Sequence, residues 1–158
     1  MLNKQTAEKI SFWNLLQSNK IEIPIIQRDY AQGRLEQEKI RERFLNALYI
    51  SLSEEKSIEL DFVYGSQVDD TLQLLDGQQR LTTLFLLHFY FVNKDHVDNI
   101  TKNKLLNFTY ETRISSREFC ESLINDVFDI TNLDDSTRIS ELITDKPWFF
   151  LSWQQDPT

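Results

Sequence analysis

Residues 71–93, TLQLLDGQQRLTTLFLLHFYFVN, constrain the fold more than any other stretch of the chain. The apolar run 72–75 leads into five polar or glycine residues, 76–80, and about four turns of almost wholly apolar sequence follow. This order predicts a buried strand, a tight turn and a buried helix. Polar groups fixed beside a core cost stability unless they are paired or used. Residues 76–80, which we call the DGQQR turn, are therefore the first candidate for a functional site.

The composition limits the classes of protein that this chain can represent. Its 158 residues suit one domain with a real core, or a domain with part of another. The formal net charge of −8 disfavours non-specific binding to phosphate backbones. The single cysteine, Cys120, cannot form an internal disulfide, and no signal-peptide pattern or membrane-length apolar span is present. We therefore expect a cytoplasmic protein without a membrane partner.

Hydrophobic periodicity and turn residues predict a series of short strands and helices. Strands are expected at 21–23, 58–64, 72–75 and 105–110, with residues 68–70 as a hairpin loop. Helices are expected at 34–54, after the DGQQR turn, at 115–126 behind a capping box, and at 135–144. The polar segment 94–104 is expected to be a loop. The pattern predicts an α+β fold with a small mixed or antiparallel sheet and packed helices.

The DGQQR turn has the residues of a phosphate-binding helix start. The first turn of a helix has unpaired N–H groups and a partial positive charge. Gly77 leaves the backbone open to an anion, and Gln78 and Gln79 add amide donors. Arg80 adds a planar, permanently charged group that suits phosphate oxygens. On this interpretation, the turn binds a phosphate group.

The same residues also fit a purely structural interpretation. Asp76 could be the N-cap of the helix, with Gln79 closing a capping box three residues later. A carboxylate bonded to those N–H groups would occupy the place of an anion, so the two interpretations compete. The capping interpretation leaves Gln78 and Arg80 unexplained, and the sequence leaves both interpretations open.

Outside the turn, one further pair of residues is a candidate for the same site. Gln27 and Arg28 follow the strand at 21–23 and could converge with the DGQQR turn on one polyanion. Two histidines and one cysteine cannot build a zinc site of usual spacing, and His88 is expected to be a core histidine. The sequence contains no Walker loop, dinucleotide fingerprint or nucleophile triad. It also has no carboxylate cluster typical of a nuclease, so we expect no nuclease activity from these residues.

Two motifs together resemble the N-terminal domain family of GmrSD-type restriction enzymes. They are IPIIQRDY at 23–30 and DGQQRLTTL at 76–84, and the second is a full match. Residues 110–113, Ser116, Phe119 and the segment 148–158 also look like this family, so the resemblance covers nearly the whole chain. One departure is Gln32, a position at which many members have a tryptophan.

The resemblance implies a fold similar to the ParB and sulfiredoxin nucleotide-binding domains. It implies a ParB-like nucleotide-binding domain at 1–113 and, at 114–158, the start of a following helical region. Family members bind nucleotides and often hydrolyse NTPs in bacterial defence against phage or modified DNA. DNA would be a partner only through the full-length protein or a partner nuclease region.

Carried onto this chain, the resemblance implies a nucleotide pocket lined by Gln27, Arg28, Gly77, Gln78, Gln79 and Arg80. Arg28 and Arg80 would neutralise phosphate charge during NTP hydrolysis, and Asp76 would hold Mg²⁺ or orient the attacking water. The expected function is a nucleotide-binding, NTP-hydrolysing regulatory domain of a DNA-targeting restriction protein. The alternative is a non-catalytic protein- or DNA-interaction module in which the DGQQR turn is a helix cap.

Overall fold

Short strands and helices alternate through the residues that the computed structural model describes, 8–24, 37–95, 97–111, 114–131, 133 and 137–155. The α-helices are α1 (Phe12–Ser18), α2 (Glu38–Ser53), α3 (Gln78–Lys94), α4 (Asn99–Lys102), α5 (Ile114–Asn125) and α6 (Ile139–Thr144). The strands are β1 (Lys20–Ile23), β2 (Tyr64–Val68), β3 (Thr71–Asp76) and β4 (Phe108–Tyr110), and two 3-10 helices are Asn103–Asn107 and Leu151–Gln155.

The four strands form one mixed sheet in the order β2-β3-β1-β4. The hairpin β2–β3 is antiparallel, as predicted, and turns at residues 69–70. β1 lies between β3 and β4 and is parallel to both, with Ile21 level with Leu72 and Phe108. The α+β class and the small mixed sheet are therefore confirmed. The parallel pairing means that β1, β3 and β4 all end at the same edge.

The core lies between this sheet and the helices that follow its strands. α3 buries Leu81, Phe85, Phe89 and Val92, which recur at helical spacing along one face. Phe85 stacks on Phe108 of β4, with 5.0 Å between ring centroids. The same cluster includes Cys120, Leu123 and Ile124 of α5 and Leu16 of α1. Of the helices that the structure describes, none has the length and apolar character needed to span a bilayer.

The second strand begins later than predicted. Tyr64 is the last residue of the predicted strand and the first of β2, so residues 58–63 lie outside the sheet. Gly65 lies where the register of β2 against β3 shifts, and a Cβ there would collide with the backbone of Gln73 on β3. The close approach of the two strands at this point therefore requires glycine.

Other boundaries also differ from the predictions. The predicted loop 94–104 contains α4, whose start is capped by Asp98: its carboxylate accepts from Thr101 N at 3.0 Å. The first half of the predicted strand 105–110 belongs to the 3-10 helix, and its last three residues form β4. α5 begins at Ile114, so Ser115 lies within its first turn and is not its N-cap. Residues 34–36 and 134–136, at the predicted starts of two helices, lie outside the described residues.

The apolar stripe on α2 predicts the helix correctly but not its burial. Leu48 is buried, whereas Ile40, Leu45 and Tyr49 from the same stripe are exposed. By contrast, the aromatic residues at 148–153 pack back onto the domain, where Trp148 and Trp153 contact Phe119 of α5. The proposed boundary at residue 113 stays a prediction.

Candidate functional site at the carboxyl edge of the parallel strands

The candidate site lies where the three parallel strands end. β1 ends at Ile23, β3 at Asp76 and β4 at Tyr110, and Ile23 pairs with Tyr110 across the sheet. α3 begins two residues after β3, and α5 begins four residues after β4. Ligands of sheets with parallel strands commonly bind at this carboxyl edge, beside the helix starts. Gln27 and Arg28, which follow β1 in sequence, lie outside the described residues.

Gly77 makes the sharp turn from β3 into α3. Its φ of 104° lies in the left-handed region that favours glycine, and it is the N-cap residue of α3. A Cβ at this position would lie 2.7 Å from Cγ2 and 3.0 Å from Cγ1 of Val63. Any side chain would therefore strain the backbone and collide with Val63. The sharp turn at the start of α3 therefore requires glycine.

The start of α3 has no side-chain cap. The capping alternative assigned that role to Asp76, but Gly77 occupies the N-cap position, and the Asp76 carboxylate pairs with Arg80 at 3.3 Å. Asp76 is therefore not the N-cap of α3, whereas the alternative that the turn has a purely structural role stays a prediction. The first N–H groups of α3 are not bonded to Asp76, so the objection that a carboxylate occupies the anion position is removed.

Arg80 is held in place by the residues around the turn. Its Nη2 donates to the Phe62 carbonyl at 2.5 Å and to Asp76 Oδ2 at 3.3 Å. Its Nε–H is buried and has no hydrogen-bond partner among the described residues. A buried donor without a partner is unfavourable unless a ligand or water satisfies it. The guanidinium therefore adds fixed positive charge and an unsatisfied donor to the turn.

Two further polar features at this edge, one hydrogen bond and one buried hydroxyl, were not predicted as parts of the site from the sequence. Thr82 Oγ1 and the Tyr110 hydroxyl are hydrogen-bonded at 3.0 Å, which ties α3 to the end of β4. Ser116, in the first turn of α5, is only 7 % exposed, and its Oγ has no partner within the described part of the chain. In the sequence, only its position shortly after β4 could have assigned Ser116 to this edge. That position is informative only when β4 is known to be parallel to β1.

Asp76, the predicted metal ligand, fits a magnesium site in which the substrate supplies the other ligands. Within the described ranges, no three His, Cys, Asp or Glu side chains are grouped as metal ligands. The Asp76 side chain is 56 % exposed at the edge of the turn. Mg²⁺ is usually held by one or two carboxylates together with substrate phosphates. Asp76 therefore fits an ion that arrives with a nucleotide, and not an all-protein cage.

His88 takes no part in this edge and is a core histidine, as predicted. Its ring stacks on Trp13 at 5.9 Å between centroids, and Nδ1 bonds to the Leu84 carbonyl at 2.8 Å. Burial lowers the pKa of His88, and the bond to Leu84 partly opposes this.

A comparison with known protein families identifies the family of the chain. A family model described as GmrSD restriction endonuclease, N-terminal domain, matches residues 12–148. The chain belongs to this family. The match includes all four strands and the DGQQR turn, and it confirms the resemblance seen in the sequence. GmrSD membership links the chain to restriction systems. No curated protein and no solved structure matches the chain.

Proposed function

We propose that this GmrSD-family domain binds a nucleoside triphosphate at the start of α3 and thereby regulates a DNA-targeting restriction protein. One observation supports the proposal most directly: α3 begins without a side-chain cap, behind a glycine with positive φ, at the carboxyl edge of parallel strands. The first turn of a helix has a partial positive charge and N–H groups that the helix itself does not use. Phosphate groups match both properties.

Each residue of the turn has a specific role in the proposal. The N–H groups of Gln78 and Gln79 contact phosphate oxygens, and Arg80 neutralises their charge. The family resemblance adds Gln27 and Arg28, which follow β1 in the sequence, to the proposed site. Charge neutralisation is the main contribution that a protein makes to phosphoryl transfer, so we also propose that the domain hydrolyses the NTP. Asp76 holds Mg²⁺, which supplies further neutralisation of the phosphates when bound.

Isothermal titration with ATP, GTP, CTP and UTP in the presence of Mg²⁺ tests the binding proposal. We expect at least one NTP to bind, and Arg80→Ala to weaken it by at least about tenfold, as loss of a charge-assisted contact should. Arg138→Ala is the matched control, because Arg138 is an exposed arginine before α6. The proposal fails if no NTP binds, or if both variants bind as the unchanged chain does. Circular dichroism checks that both variants are folded.

The role of Asp76 is tested separately by Asp76→Asn. Without Mg²⁺, this variant should bind the NTP at least as tightly as the unchanged chain, because a negative charge near the phosphates is removed. With Mg²⁺, the unchanged chain should gain more affinity than the variant. An equal gain in both proteins would exclude Asp76 as the metal ligand and leave the phosphate-binding turn intact.

DNA contact in this proposal comes from the full-length protein or a partner nuclease region. The chain alone should therefore leave supercoiled plasmid intact in the presence of Mg²⁺ or Mn²⁺, because metal-dependent cleavage needs grouped ligands around the metal. Metal-dependent nicking that co-purifies with the chain and is abolished by Asp76→Asn would instead assign nuclease chemistry to these residues.

A further inference from the structure

A groove on the opposite side of α5 from the sheet-facing core has no role in the nucleotide proposal. It has a volume of about 530 Å³ and runs between α5 and the C-terminal aromatic residues. One wall, which we call the acidic wall, is formed by α5 and the residue after it: Glu118, Glu121 and Asp126, together with the neutral Ser122 and Asn125. The other consists of three aromatic side chains, Trp148, Phe150 and Trp153.

The aromatic wall is fixed by contacts within the domain. Trp148 Nε1 donates to Asp126 Oδ2 at 2.7 Å, and its ring lies 6.3 Å from that of Phe119. Trp153 packs at 5.8 Å from Phe119 and 5.0 Å from Phe150, between ring centroids. Phe150 nevertheless remains 58 % exposed. The groove therefore presents aromatic surface whose position is already set, which lowers the entropic cost of binding.

Two carboxylates of the acidic wall, those of Glu118 and Glu121, are not neutralised by a described cation. Glu118 and Glu121 are three residues apart on α5, so they lie on the same face. Neither takes part in an ion pair among the described residues. No lysine, arginine or histidine lines the groove. A cation near such a wall would be attracted by the charge of the carboxylates and also by the faces of the aromatic rings.

Next to the groove, Lys146 already interacts with both a carboxylate and an aromatic ring. Lys146 Nζ lies 2.9 Å from Asp126 Oδ2 and 4.5 Å from the centroid of the Phe128 ring. One cation thus contacts a carboxylate and an aromatic face together. Asp126 is the acidic residue that this lysine neutralises, whereas Glu118 and Glu121 line the groove together with Phe150 and Trp153.

We propose that the groove binds an arginine side chain in a basic segment of a partner polypeptide. Arginine fits better than lysine, because its planar guanidinium can stack on an aromatic ring and also bond to a carboxylate through two N–H groups. A nucleic acid does not fit, because its phosphates would face Glu118 and Glu121. Phe150 and Trp153 lie beyond residues 12–148, whereas Glu118, Glu121 and Trp148 lie within the part of the chain that the family model matches.

The indole N–H signals of the three tryptophans, recorded by NMR, test the proposal on the unchanged chain. Hexa-arginine should shift the signals of Trp148 and Trp153 and leave that of Trp13, which stacks on His88, in place. Hexalysine should bind more weakly. No shift with hexa-arginine, a shift of Trp13 alone, or equal binding of hexalysine would overturn the proposal.

A charge-matched pair of variants separates the groove from the acidity of the whole chain. Glu118→Gln with Glu121→Gln should weaken hexa-arginine binding at least about tenfold in isothermal titration, as loss of two close charges should. Glu38→Gln with Glu42→Gln on α2 changes the net charge equally at exposed positions and should have little effect. Equal weakening by both pairs would show only general attraction to an acidic protein and would overturn the proposal.

Discussion

At the scale of single residues, Gly77 decides whether α3 can begin where it does. Gly77→Ala places a methyl group 2.7 Å from Val63 Cγ2 and keeps a φ of 104° that alanine disfavours. We expect the free energy of unfolding to fall by about 2–4 kcal/mol, the sum of strain and overpacking. Urea denaturation followed by circular dichroism measures the loss.

The double variant Gly77→Ala with Val63→Ala separates the two causes of that loss. Removing the Val63 methyl groups relieves the collision but leaves the backbone strain, so the double variant should recover part of the stability relative to additivity. Strictly additive losses would show that the collision contributes nothing and that strain alone requires glycine.

His88 gives the domain a pH-dependent stability with a defined sign. Burial lowers its folded-state pKa below the ordinary value of 6.5, so the unfolded chain takes up a proton first as the pH falls. The contribution to stability is therefore complete above pH 6.5, decreases as the pH falls below it, and is fully lost below the folded-state pKa. Urea midpoints measured from pH 7.5 to 5.5 should decrease more steeply in the unchanged chain than in His88→Gln. Parallel profiles would contradict this account.

Asp76 shows why the site was only partly predictable from single residues. The residue types of the DGQQR turn predict a helix start with polar groups, and the structure confirms that start. The sequence does not reveal that Gly77 adopts a positive φ and becomes the N-cap itself. With Asp76 one residue further from α3, its carboxylate bonds to Arg80 instead of the helix N–H groups.

At the scale of elements, Lys102 joins three helices through one buried ammonium group. Lys102 is only 7 % exposed, and its Nζ donates to the Asp126 carbonyl at 2.6 Å and to Asn93 Oδ1 at 3.4 Å. Lys102→Ala would leave both acceptors without this donor, so we expect a loss of about 2–4 kcal/mol in the free energy of unfolding. Lys104→Ala, at an exposed position two residues along, should change it by less than about 0.5 kcal/mol. Similar losses in both variants would contradict the role of the buried contacts.

Pairing between elements was the part of the fold that the sequence predicted least well. The hairpin β2–β3 follows from local turn residues and was expected. The place of β1 between β3 and β4 depends on partners about fifty and ninety residues away, and no local pattern specifies them. β1 and β4 are also only four and three residues long, so their periodicity contains little information.

At the scale of the whole molecule, the strand order brings distant segments to one edge. The ends of β1, β3 and β4 are adjacent only because β1 is parallel to both neighbours. This arrangement adds Thr82, Tyr110 and Ser116 to an edge that the sequence assigned to the DGQQR turn and Gln27-Arg28 alone. The grouping of Gln27-Arg28 with the DGQQR turn stays a prediction, whereas the structure explains in physical terms why the ends of β3 and β4 lie close together.

A nucleotide bound at this edge should stabilise the whole domain, because the DGQQR turn is continuous with β3, with α3 and through them with the core. A ligand at about 100 times its Kd adds about 2.7 kcal/mol to the free energy of unfolding. For a chain of this length, each kcal/mol raises the Tm by about 2–4 °C, so the bound NTP should raise it by about 5–10 °C. Adenosine, which lacks phosphates, should give almost no increase, and Arg80→Ala should lose most of the increase seen with the NTP. An equal increase with adenosine would place recognition in the nucleoside and contradict a site built around the start of α3.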